Sequence, residues 1–62
     1  MTVYAWVVFD KNGTNRRDGL LYSATSLEDL KLSAKAIAKA GDVLVWCAIT
    51  REGNTGARSI KF

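Results

Sequence analysis

Sixty-two residues make room for one domain, residues 1–62, with a thin core. A chain this short buries only about 60% of the surface its unfolded form exposes. Nine basic residues against six acidic ones leave a net charge of +3, compatible with an acidic protein partner or a nucleic acid. A single cysteine, Cys47, and no histidine exclude an internal disulfide and any imidazole chemistry, and no cofactor or metal is expected.

Residues 2–10, TVYAWVVFD, are β-branched and aromatic almost throughout and read as a strand apolar on both faces. Asn12-Gly13 is a favoured hairpin pair, and the loop continues through Arg16, Arg17 and Asp18. Residues 19–24, GLLYSA, read as a shorter return strand. A helix follows from about Ser26 to Ala40, with Thr25 and Glu28 at capping-box spacing and Gly41 as its stop. Leu27, Leu30, Ala34, Ile37 and Ala38 form its apolar stripe. Residues 42–50, DVLVWCAIT, are the second strong strand, 51–57 are turn chemistry, and 58–62, RSIKF, close the chain as a short strand. The order is ββαββ, an α+β domain with one helix on one face of a four-stranded sheet. A grasp-like mixed sheet and a wholly antiparallel one both satisfy the pattern.

Alternation sorts each central strand into two sets. Val3, Ala5, Val7 and Phe9 match Val43, Val45, Cys47 and Ile49, small side chains suited to an alanine-rich helix. Tyr4, Trp6 and Trp46 then fall on the opposite face, which nothing in the chain covers. An aromatic face of this kind suits a binding hot spot, a homodimer contact, or base stacking against DNA or RNA.

Lys31, Lys35 and Lys39 recur every fourth residue and make a row along one helix flank. As a solvated face the row needs no function; as a contact strip it suits an acidic protein or a phosphate backbone. Arg16 and Arg17 offer bidentate anchors on the first loop. Catalysis finds no support: the six carboxylates are scattered, Cys47 lies mid-strand, and no glycine-rich phosphate loop occurs. A lone thiol and no basic leader point to a reducing cytoplasm, and no run nears the ~18 apolar residues of a membrane span.

The stretch YSATSLEDLKLSAKAIAKAGDVLVW, with its Ala-x-Ser-Leu helix entry, internal Ala-Lys pair and Gly-x-Val-Leu strand opening, resembles a family of very small phage anti-CRISPR proteins. The resemblance implies a non-enzymatic inhibitor that docks on a type I CRISPR surveillance complex in the host cytoplasm. It places the contact on Lys31, Lys35 and Lys39 and implies some affinity for duplex DNA. The long first loop with Arg16-Arg17 and the two tryptophans depart from that family. A phage inhibitor of host RNA polymerase shares the layout. The alternative to docking on a protein is a small basic nucleic-acid-binding module that uses the aromatic sheet face.

Overall fold

The computed structural model describes residues 2–62. Its elements run β1 (Val3–Phe9), β2 (Tyr22–Ala24), α1 (Leu27–Ile37), β3 (Val43–Thr50), β4 (Gly53–Asn54) and β5 (Arg58–Lys61). The two β-branched, aromatic runs become the central pair, because strands flanked on both sides gain most from side chains that fill a pleated surface. β1 and β3 pair antiparallel along their whole length, from Val3 opposite Ile49 to Phe9 opposite Val43. β2 adds antiparallel to the other side of β1. β4 and β5 share the outer edge of β3, also antiparallel, so the sheet is four rows wide. Of the two arrangements open to the sequence, the wholly antiparallel one is realised. No helix of the described residues is long and apolar enough to cross a membrane.

β4 and β5 are interrupted at Thr55, whose backbone N–H donates to the Ala48 carbonyl at 2.8 Å. The Thr55 hydroxyl in turn accepts from the Ala48 N–H at 3.0 Å. A side chain thus stands where a ladder carbonyl would be, and the chain leaves the edge before rejoining it at Arg58. Residues 51–57, expected as turn alone, therefore hold a tight Arg51-Glu52 turn and the two-residue strand β4.

The helix is shorter and differently capped than its sequence suggests. Ser26, not Thr25, is the N-cap: its hydroxyl accepts the Asp29 N–H at 3.1 Å. Glu28 and Asp29 lie in the first turn, where the positive end of the helix dipole favours them. The helix stops at Ile37 rather than Ala40 because the Asp42 carboxylate captures the Lys39 N–H at 2.8 Å, pulling that residue out of the helical ladder. Gly41 then turns the chain at φ +89°, and a Cβ there would sit 3.3 Å from Lys11 Cβ. Only glycine serves this position without strain.

The core lies between α1 and the even-numbered side chains of the sheet. Trp6, Val8 and Leu44 are buried against Leu30 and Ala34, with Tyr4, Tyr22 and Trp46 packed around them. This reverses the assignment of faces made from the sequence. Tyr4, Trp6 and Trp46 point toward the helix, and the set Val3, Ala5, Val7, Phe9, Val43, Val45, Cys47, Ile49 points away. The reason is volume. A single helix of 11 residues offers two fully buried side chains, Leu30 and Ala34, and broad rings are needed to fill the space beneath it. Trp6 stacks on Tyr22 with ring centroids 4.6 Å apart, and Tyr4 meets Trp46 edge-on at 6.0 Å. The indole N–H groups of both tryptophans are buried without an acceptor among the described residues, a cost that the ring packing offsets.

Candidate docking site

The basic residues separate into one structural cation and a set left free. Arg17 forms a two-point hydrogen-bonded pair with Asp42, Nε to Oδ2 at 2.8 Å and a terminal nitrogen to Oδ1 at 2.7 Å. Asp42 is fully buried, and the guanidinium beside it, helped by the Lys39 N–H, holds its carboxyl down at about 2. Arg17 in return is pushed further up by the carboxylate. The pair ties the first loop to the junction of α1 and β3, so Arg17 is occupied and does not offer the docking contact expected of it. Arg16 sits at the sheet edge opposite Phe9, exposed and in no ion pair among the described residues, with its charge felt by the Asp18 carboxyl. The rest of that loop is self-contained: Asp10 accepts the Asn12 and Thr14 N–H groups, and the Tyr22 hydroxyl donates to Asp18. That bond lowers the Asp18 carboxyl and raises the Tyr22 phenol.

The three expected aromatic contacts are not at a free surface. Trp6 is 2% exposed beneath the helix, and Tyr4 and Trp46 are half-buried beside it. A stacking platform of Tyr4, Trp6 and Trp46 on an open sheet face therefore does not exist in this fold.

Lys31, Lys35 and Lys39 are all exposed, and none makes an ion pair among the described residues. They do not act as one row. Lys39 lies past the helix end, where its backbone is bonded to Asp42. Lys31 and Lys35 instead border a groove of about 300 Å³ whose floor is Leu44, Ile60 and Phe62. The groove follows from the width of the layers. A helix about 10 Å across covers about two strands at ~4.8 Å spacing, and α1 packs mainly on β1 and β2. The outer half of β3 and all of β5 are left without a roof. Ile60 and Phe62 are consequently 41% and 37% exposed, although they belong to the helix-side face. At one end of this shelf the Arg58 guanidinium covers the Trp46 ring at 5.9 Å.

The shelf joins an apolar floor to Lys31 and Lys35, with Arg58 farther along β5 on the Trp46 ring; none of the three makes an ion pair among the described residues. A larger depression on the other flank of the helix, about 590 Å³, is lined by Val3, Ala24 and Leu32 together with Ser23, Thr25, Ser33 and Asp29. It sets a single carboxylate, and no cation, beside its apolar surface. Sequence reading found the two lysines but missed Ile60, Phe62 and Arg58. Their signal was the alternation in the last strand, where Arg58, Ile60 and Phe62 share one face and Ser59 and Lys61 the other.

No family model, curated protein or solved structure matches this chain. The shelf must be interpreted from its own chemistry.

Proposed function

We propose that this chain is a non-enzymatic docking protein that holds an acidic segment of a partner protein on the shelf between α1 and β5. The observation that carries this reading is the groove floored by Leu44, Ile60 and Phe62 and bordered by Lys31 and Lys35. Carboxylates on the partner would meet the lysines while an apolar side chain fills the floor, the division of labour seen at hot spots with a charged rim. The finer reading is an inhibitor of anti-CRISPR type, acting in the host cytoplasm on a type I surveillance complex and blocking its contact with nucleic acid. Such a role would use the same two lysines.

The test takes purified type I surveillance complex and two variants, Lys31→Glu/Lys35→Glu and Ile60→Asp. Wild type is expected to bind, and each folded variant to bind at least ~100-fold more weakly, the scale of losing a central contact. Raising salt from about 50 to about 200 mM should cost only a few-fold, where phosphate binding through Lys31, Lys35 and Arg58 would cost roughly 40-fold. Full binding by both variants would overturn the shelf. No binding by wild type would overturn the CRISPR target and leave the acidic-protein reading to be tested on other host assemblies.

A further inference from the structure

The shelf is a recess in the helix layer, and its dimensions restrict what can lie in it. α1 rests on β1 and β2, and the strip of β3 and β5 beside it is two strands wide, about 10 Å at ~4.8 Å spacing. Along the strands the floor runs from Phe62 to the Arg58–Trp46 contact, about 14 Å at the rise of an antiparallel strand. An α-helix is about 10 Å across, and ~14 Å of it holds about nine residues. We propose that the acidic segment held on the shelf is an amphipathic helix of the partner protein, lying beside α1 as the second helix of that layer, which rests on the docking role inferred for the shelf.

Two observations favour a helix over an extended segment. The first is the backbone. The shelf presents the face of the sheet and not its edge, and β3 and β5 are already paired to each other along Val43–Lys61 and Leu44–Ile60. The floor side chains, Leu44, Ile60 and Phe62, carry no polar atom. Lys31 and Lys35 can donate to a carbonyl but accept from no N–H. An extended segment pressed onto this floor would bury N–H groups without partners, whereas a helix pairs its own.

The second is charge. Lys31 and Lys35 stand one turn apart on the flank of α1 that walls the groove, both exposed and in no ion pair among the described residues. Carboxylates one turn apart on a neighbouring helix repeat at the same interval and meet both. The six acids of the chain leave that contact open. Asp42 is buried and committed to Arg17, and Asp10 and Asp18 are bonded within the first loop. Asp29 lines the depression on the other flank, and Glu52 lies in the turn past Thr50. Glu28 shares the lysine flank but sits in the first turn, outside the groove lining, so the partner's acids belong opposite Lys31 and Lys35 and not beyond them. A second copy of this chain does not supply such a helix. Its α1 already packs its apolar stripe on its own sheet and would set lysine against lysine.

The probes are two end-capped, fluorescently labelled peptides of about 14 residues and identical composition, long enough to cover the shelf. In one, leucines recur at helical spacing with glutamates one turn apart beside them; in the other, leucine and glutamate alternate as in a strand. Titrated up to ~1 mM, the helical pattern should bind wild type and gain far-UV circular dichroism of helix on binding. The alternating peptide, and a helical one with a central proline, should bind at least ~10-fold more weakly. Lys31→Glu/Lys35→Glu should also lose at least ~10-fold, and should bind instead a helical peptide with lysine in place of glutamate, an exchange that unfolding could not produce. An alternating peptide that binds as well as the helical one, with the same dependence on the two lysines, overturns the helix and leaves the docking role intact. Helical-peptide binding that survives both Lys31→Glu/Lys35→Glu and Ile60→Asp overturns it by placing the contact elsewhere. So does the absence of binding by every peptide, while docking on the surveillance complex is decided by its own measurement. If Ile60→Asp does not fold, the lysine variant and the charge exchange decide alone.

Discussion

Replacing Trp6 by alanine tests the assignment of the two sheet faces directly. The ring is 2% exposed, is stacked on Tyr22 at 4.6 Å and contributes to the cluster around Leu30. Truncating a buried tryptophan costs about 3–5 kcal/mol, and the stacked pair adds about 0.5–1.5 kcal/mol. Removing its unpaired N–H returns about 1–3 kcal/mol, which leaves a net loss near 3–4 kcal/mol. A domain of 62 residues has a total stability of about 3–9 kcal/mol, so the variant should be marginal or unfolded at 25 °C. Urea unfolding followed by far-UV circular dichroism reads the loss without relying on the fluorophore. With a slope of about 1 kcal/mol/M, the midpoint should fall by about 3 M or vanish. Trp6→Phe keeps the stacking and discards the unpaired donor, and should fall by no more than about half as much. Val45→Ala, the control on the opposite face, should cost about 1 kcal/mol. A Trp6→Ala midpoint within about 1 M of wild type, at unchanged slope, would refute the placement of the ring beneath the helix.

Acid should find the Arg17–Asp42 pair. The Asp42 carboxyl lies at about 2 in the folded chain against ~3.9 when unfolded, so its contribution is complete above about pH 4, declines as pH falls, and is gone below about pH 2. Thermal melts across that window should show the loss in wild type and a flatter profile in Asp42→Asn. Ser26→Ala removes the hydroxyl that accepts the Asp29 N–H and should cost about 1 kcal/mol, whereas Thr25→Ala should cost only a few tenths. Equal losses at the two positions would mean that the cap is shared.

The order of elements was legible because its signals are local: a helical stripe, a polar turn and a β-branched run each declare themselves within a few residues. Which face of the sheet the helix covers was not, because both alternate sets of β1 and β3 are apolar. Size was the wrong arbiter, since an alanine-rich helix leaves volume that rings must fill. The edge strands held the better clue. Tyr22 and Ala24 alternate with Ser23, and Ile60 with Ser59 and Lys61, so the polar members mark the side open to solvent. The pairing of Arg17 with Asp42 spans 25 residues, and neither partner differs in sequence from an ordinary loop cation or an aspartate after a helix. Lys31 and Lys35 could be placed by spacing, but the groove beside them depends on where the helix sits across the sheet, which no local pattern encodes.

The break at Thr55 bears on how the protein behaves in a crowded cell. A sheet with an apolar face and a long straight edge invites further strands to add without limit. Here the β3 side ends in two segments of two and four residues separated by an excursion, with Arg58 and Lys61 on the longer one. The other margin, β2, is three residues long. Neither offers an incoming strand a continuous run of free N–H and C=O groups. Growth edge to edge into fibres is therefore disfavoured at both margins.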